Sequence, residues 1–192
     1  SMANADNGDD FGVDIHPYVG GISPRNIVVS NIQVTNVKYG LMIRSLAAAG
    51  HSIVNVKTVT VRDSFFENAP VMIRDACQVY LLNVKCVRCG ISVQKTTDLR
   101  TREIRILGGS ATNIPFGVRY GLESGVNIAD VSDIVVVGFI ASNNTGYGIV
   151  LKSVTNSTII GCIIERNGSA WRYGAGMHLR NTTDTLIYGN RI

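Results

Sequence analysis

The chain repeats itself at a short period. Segments beginning at Ile27, Val54, Val79, Ile104, Ile134, Thr158 and Thr185 share one pattern: apolar-x-apolar, then Asn, Thr, Gly or Cys, then apolar-x-small or apolar. Successive starts lie 27, 25, 25, 30, 24 and 27 residues apart. After each of the first six comes a Gly, once a Pro, leading apolar-x-apolar: Gly40-Leu41-Met42-Ile43, Pro70-Val71-Met72-Ile73, Gly90-Ile91-Ser92-Val93, Gly117-Val118-Arg119-Tyr120, Gly148-Ile149-Val150-Leu151 and Gly176-Met177-His178-Leu179. A unit this small cannot bury its own apolar face, so the repeats must stack as a solenoid.

The units are strands. Each apolar run alternates with period two, lasts three to five residues and favours Ile, Val and Thr. Gly and Asn fall between the runs, where turns call for positive φ. No window carries a sustained 3.6-residue apolar stripe. A coil of roughly 25 residues is one rung of a parallel β-helix, with rungs about 4.8 Å apart.

The pattern resembles the right-handed parallel β-helix of the pectate lyase and polygalacturonase superfamily, which phage tailspikes share. The resemblance runs from about Gly12 to Ile192. It implies an all-β fold: a single-stranded right-handed parallel β-helix of about six to seven rungs over residues 12–192. Residues 1–11 form a lead-in segment that opens on an expression scar, Ser1-Met2-Ala3. The last rung stops in mid-strand at Ile192 without a polar cap. This is expected of a fragment of a longer protein, or of an end covered by another chain. The resemblance also implies a virion tail or secreted setting, although no signal peptide is visible.

Composition agrees with one continuous core: apolar residues make up 45% and charged residues 17%. No apolar run of about 18 residues exists, so no membrane span is expected. No cofactor motif or metal-ligand cluster is apparent. Cys86-Val87-Arg88-Cys89 has C-x-x-C form without a second pair, and Cys86 falls in an inward column with Val34, Val61 and Ala111, so the thiols read as core residues. Asn143, Asn156, Asn167 and Asn181 each open an N-x-S/T triplet and read as turn asparagines.

Alternation places alternate side chains on opposite faces. With Leu41 and Ile43 inward, one outward column reads Arg44, Arg74, Gln94, Gly121, Lys152 and Arg180, with His16 at its head. The adjacent column reads Asp14, Met42, Met72, Ser92, Arg119, Val150 and His178. Arg44, Arg74, Arg119, Lys152 and Arg180 thus make a basic ladder suited to an acidic polysaccharide, because Arg forks onto carboxylates. The formal net charge of +4 is consistent with that. Nucleic acid is a poor partner, since no aromatics interleave the cations for base stacking. Asp14 and His16 put an acid and a base at the ladder's N-terminal end, over Arg44 and Arg74. That grouping suits hydrolysis or proton abstraction beside a uronate carboxylate.

Two resemblances bear on this end. Phe11-Gly12-Val13-Asp14-Ile15-His16 is similar to the aromatic-Gly-apolar-Asp-x-His signature of mannuronan epimerases. The resemblance implies catalytic roles for Asp14 and His16, while Phe11 stands where that family has a catalytic Tyr. Asn7-Gly8-Asp9-Asp10 resembles the Gly-Asp-Asp of polygalacturonases, which implies Asp9 and Asp10 as paired carboxylates for inverting hydrolysis. Lys38-Tyr39-Gly40 and Met72-Ile73-Arg74 then replace that family's Gly-His-Gly and Arg-Ile-Lys. The other strand segment turns apolar outward from Tyr80 on, with Leu82, Leu107, Val135, Val137 and Ile159. Either a loop of the same chain covers this flank or a neighbouring β-helix does, as in a homotrimer. Two functions stay open: a polysaccharide-binding and polysaccharide-degrading hydrolase or lyase, or a non-catalytic shaft or adhesin module.

Overall fold

The structure is a computed structural model of the chain, and it describes residues 10–17, 23–45, 56–96, 101–115, 124–169 and 175–192. The described residues contain strands and turns but no helix, so none is long and apolar enough to cross a membrane. Three parallel sheets wind around one core. The first holds β1 (Phe11–Ile15), β4 (Tyr39–Arg44), β7 (Val71–Arg74), β10 (Ile91–Gln94), β13 (Val126–Ala129), β16 (Ile149–Lys152) and β19 (Met177–Arg180). The second holds β2 (Arg25–Ser30), β5 (Lys57–Arg62), β8 (Cys77–Leu82), β11 (Arg102–Leu107), β14 (Ser132–Val137), β17 (Thr155–Ile160) and β20 (Thr183–Tyr188). The third holds β3 (Gln33–Thr35), β6 (Phe65–Glu67), β9 (Lys85–Val87), β12 (Ser110–Thr112), β15 (Ile140–Ser142) and β18 (Ile163–Glu165). Each of the first six turns contributes one strand to each sheet, and the seventh contributes β19, β20 and a single bridge at Arg191, giving about seven rungs of a parallel β-helix.

Stacking in register turns each inward position into a column. In the first sheet Ile15, Ile43, Ile73, Val93, Ile128 and Leu151 lie one above another, all buried. Each such side chain removed from water contributes about 1.5–3 kcal/mol. Leu179 ends this column and is 41% exposed: it stacks on Leu151 on one side, and no further strand lies beyond it among the described residues. Cys86 and Cys89 are buried free thiols, as the sequence suggests. A hydrogen bond with the Cys89 thiol, then burial, hold the Cys86 thiol well above the ordinary cysteine range.

The corners are made by left-handed residues. A positive φ ends every strand of the second sheet, at Asn31, Asp63, Asn83, Gly108, Gly138, Gly161 and Gly189. Another ends every strand of the third, at Asn36, Asn68, Arg88, Asn113, Asn143 and Arg166. Asn and Asp tolerate this conformation because their short polar side chains bond locally. Among the four N-x-S/T asparagines, Asn143, Asn156 and Asn181 hold positive φ. The fourth, Asn167, bonds the backbone of the rung before it: its Oδ1 accepts from Asn144 N and its Nδ2 donates to Ala141 O. Asn144 repeats this one rung earlier, accepting from Ile114 N and donating to Ala111 O.

The glycines that open the first sheet serve closeness rather than positive φ, which corrects one expectation. A Cβ on Gly40 would lie 2.4 Å from Ala69 O, and one on Gly148 2.4 Å from Ile164 Cγ2 and 2.7 Å from Gly176 O. The strand enters so tightly against the next rung that no side chain fits.

The register differs from the sequence reading at three places. Ile27 pairs with Val59, five residues after Val54, which with Asn55 lies outside the described residues. Val61 therefore stacks between Val29 and Leu81, and Phe66 takes its place in the Cys86 column. The first-sheet strand of the fifth rung is Val126–Ala129, so Asn127 and Ala129 hold the slots assigned to Arg119 and Gly121, which lie outside the described residues. In the sixth rung Ser157, not Thr158, takes the inward place beside Ile134, bonding Thr185 at 2.8 Å. This shifts Ile159 into the core, fully buried against Val136, and the outward apolar stripe runs through Leu82, Leu107, Val137 and Ile160 instead. A polar residue at an inward position disguised the phase.

Two substitutions test this corner chemistry. Gly148→Ala is expected to cost about 1–3 kcal/mol through overpacking. Asn144→Ala is expected to cost a similar amount by orphaning a buried N–H and C=O. Urea unfolding midpoints measure both, with Gly138→Ala expected to lose about 1–2 kcal/mol through its positive φ alone, since nothing lies within 4 Å of its Cβ position.

Candidate functional site

The outward face of the first sheet carries two adjacent columns. One reads Asp14, Met42, Met72, Ser92, Asn127, Val150, His178, and the other Arg44, Arg74, Gln94, Ala129, Lys152, Arg180. His16 follows Ile15 at the head of the second column. Apart from Arg119, the sequence-derived ladder is in place. Gln94 and Ala129 divide it into an Arg44–Arg74 pair and a Lys152–Arg180 pair.

At the N-terminal end the predicted acid, base and cation meet. Asp14 Oδ2 takes Arg44 Nη2 at 2.8 Å and His16 Nδ1 at 3.0 Å. Asp14 is largely buried, with a side chain only 15% exposed, whereas the His16 side chain is 39% exposed. The carboxylate thus holds the imidazole by one nitrogen and leaves Nε2 available to a ligand, the orienting role that acids play toward catalytic histidines. Asp10 stands apart: it is exposed, its carbonyl accepts from Tyr39 N at 3.0 Å, and none of the side-chain bonds among the described residues joins it to Asp14 or His16. Asp9 lies outside the described residues.

An aromatic platform adjoins this network, and the sequence reading did not foresee it. Phe11 stacks on Tyr39 with centroids 5.1 Å apart and planes 16° from parallel, and the Arg44 guanidinium sits 5.4 Å from the Phe11 centroid. Tyr39, Met42 and Met72 form a small apolar cluster outside the main core. The alignment of Asp14 with Met42 already implies the pairing of Phe11 with Tyr39 one rung away, but alternation would turn Tyr39 inward with Leu41 and Ile43 rather than out to Met42.

Polar atoms left without partners concentrate here. Of the buried side-chain atoms lacking a hydrogen bond, four lie on these two columns in the first four rungs: Asp14 Oδ1, Arg44 Nε, Arg74 Nε and Ser92 Oγ. Each such orphan costs about 1–3 kcal/mol, more when charged. Arg74 reaches only the Met72 sulfur, at 4.0 Å, and has no carboxylate partner among the described residues. Some other cations are matched: Arg88 pairs with Glu67 and Arg191 with Glu165. At the far end Lys152 and Arg180 are exposed and likewise unpaired among the described residues, and His178 packs on Tyr147 in a tilted arrangement, centroids 4.8 Å apart. Among the described residues no cluster of three His, Cys, Asp or Glu side chains could hold a metal ion.

Ser92 gives a direct test of whether these orphans serve the fold. Its hydroxyl is buried and unpartnered, so Ser92→Ala is expected to leave stability unchanged or raise it by about 1 kcal/mol in urea unfolding. A loss above about 1 kcal/mol would assign Ser92 a structural role instead.

No curated protein matches the chain. Among solved structures it is similar to the A-module of the mannuronan C-5 epimerase AlgE4 of Azotobacter vinelandii, with 17% identity and a TM-score of 0.51. The match covers 86% of this chain and 52% of that one, so the chain spans about half the length of that module. At this identity the likeness establishes the fold. Residues 12–192 match the family described as the right handed beta helix region, and with its seven-rung parallel coil the chain belongs to that family.

Proposed function

We propose that this β-helix binds an acidic polysaccharide along the outward face of its first sheet and acts on it at the Asp14–His16 end. The observation that carries this reading is an imidazole held by a buried carboxylate beside the half-exposed Arg44 and Arg74, the latter without a carboxylate partner among the described residues. A ligand with carboxylates and hydroxyls would reach the exposed His16 ring and these two guanidinium groups. The structural neighbour named above is a mannuronan epimerase, an enzyme acting on a uronate polymer, which supports the substrate class.

The chemistry follows from the residues. Arg74, without a protein carboxylate, takes the carboxylate of a bound uronate, and Arg44 shares its charge between that group and Asp14. Drawing charge from the carboxylate acidifies the adjacent C–H. His16 Nε2 accepts that proton while Asp14 steadies the imidazolium. The electron pair moves into the carboxylate. Expulsion of the glycosidic oxygen at the next carbon, which takes a proton from solvent as it leaves, then cleaves the chain and leaves an unsaturated end, whereas delivery of a solvent proton to the opposite face inverts the centre. Proton abstraction is favoured over inverting hydrolysis because Asp14 has an imidazole and a guanidinium as neighbours rather than a second carboxylate.

Incubation with acidic glycans in deuterated water checks the shared first step, since label enters the sugar on inversion and unsaturated ends appear on cleavage. His16→Ala and Asp14→Asn are expected to lower turnover by about a hundredfold or more with binding retained. Arg74→Ala is expected to weaken binding about tenfold, and the wild-type affinity should fall with added salt. Wild-type turnover in both His16→Ala and Asp14→Asn would move the chemistry elsewhere. Binding without label or cleavage would leave a non-catalytic glycan-binding shaft.

A further inference from the structure

A groove of about 380 Å³ runs along the corner between the first and second sheets, beside the gap that divides the basic ladder. That is within the size range of small-molecule sites. It spans rungs four to six. One wall is the corner column Lys95, Asp130, Ser153, and the other is formed by Ser132 and Thr155, which pair at the start of second-sheet strands, with the buried Thr101 and Val131 between the walls. Ala129, which interrupts the cations of the ladder, immediately precedes Asp130 of the groove.

The groove's charges are unused by the fold. Neither Lys95 nor Asp130 has an ion-pair or side-chain hydrogen-bond partner among the described residues, and the hydroxyls of Ser153 and Thr155 are also uncommitted. Asp75 occupies the same corner position two rungs before Asp130 and shows the contrast. Its carboxylate takes Thr96 N at 2.9 Å and Thr96 Oγ1 at 2.5 Å from the following rung. Rung six has no equivalent of Thr96, because its corner passes from Lys152 to Thr155 through Ser153 and Val154 alone. Asp130 therefore faces the groove with its lone pairs free.

We infer that this groove is a distal subsite for a sugar of the same acidic glycan, a reading that rests on the proposed function. Asp130 accepts hydrogen bonds from sugar hydroxyls, Ser153 and Thr155 supply matching donors and acceptors, and Lys95 meets a carboxylate. Lys152, next to Ser153 in the chain, adds a cation where the groove opens onto the ladder. Four rung intervals separate Asp14 from the level of Asp130, about 19 Å at 4.8 Å each. The substrate is thus an extended oligomer that crosses from the Arg44–Arg74 pair to the groove.

Amide shifts of the isotopically labelled chain, titrated with a uronate dimer, a uronate octamer and a neutral hexamer, test this. The octamer is expected to move the amides of Asp130, Ser132 and Ser153 as well as those of Asp14 and Arg44. Lys95→Gln with Asp130→Asn, chosen to keep side-chain shape and the corner conformation, should abolish the groove shifts. It should also weaken octamer binding about tenfold and leave the dimer's effect at Arg44 unchanged. Groove amides that stay still while the octamer saturates Asp14 and Arg44, or wild-type octamer affinity in the double variant, would overturn the subsite. Movement in the groove without any at Asp14 and Arg44 would keep the subsite and overturn the proposed site instead. Silence at both with every oligosaccharide would overturn both.

Discussion

Everything in this molecule depends on parallel strands stacking in phase, one rung on the next. Backbone N–H and C=O groups of the strands find their backbone partners in the rungs above and below. Each rung must therefore present the same positions at the same heights. Left-handed residues close the corners so that the next strand starts in register. A non-glycine residue there costs roughly 1–2 kcal/mol of backbone strain. The chain spends Asn and Asp on many such positions and lets the Asn144 and Asn167 side chains satisfy corner backbone in the preceding rung. Other left-handed positions are held by Thr58, Gln78 and Glu103, with no such local aptitude. There the ladder on both sides dictates the conformation.

This explains what could be read from the residues. Where a rung follows its neighbour without interruption, as from Val71 to Ile91, alternation alone gives the correct inward pair. Where extra residues enter at a corner, two phases compete. Val54 and Val59 both open an apolar-x-apolar run, and Gly117 and Gly125 both precede one. Only pairing across the sheet chooses between them, and it chooses Val59 and Gly125. Ser157 shows the complementary failure: a hydroxyl can sit inward when Thr185 bonds it, so apolar periodicity misplaces the strand by one residue.

The site was legible to the extent that it lies on strands. Asp14, Arg44, Arg74, Lys152 and Arg180 follow from alternation in rungs whose phase was correct, and Asp14, His16 and Arg44 do meet. Tyr39 and the groove were not legible. Tyr39 sits where a corner enters a strand, and its side chain joins the outer cluster with Met42 and Met72 rather than following the inward column. Lys95, Asp130 and Ser153 are polar corner residues, and polar residues at corners carry no periodic signal in a sequence.

Stacking also sets the electrostatics. Like charges on adjacent rungs lie about 4.8 Å apart at their backbones, where two unit charges repel by about 0.9 kcal/mol in water and by about 3.5 kcal/mol at an effective dielectric constant of 20. For Arg44 and Arg74 the Asp14 carboxylate offsets part of this. For Lys152 and Arg180 nothing among the described residues does, yet both chains of charge sit directly opposite each other across the sheet. Single substitutions would relieve the repulsion, and a fold that needs only inward columns gains nothing from it. An anionic ligand reverses the sign: the same pairs that repel in the empty protein become adjacent points of attraction along a charged polymer. The spacing that the backbone imposes on the rungs is then also the spacing at which the protein presents its cations.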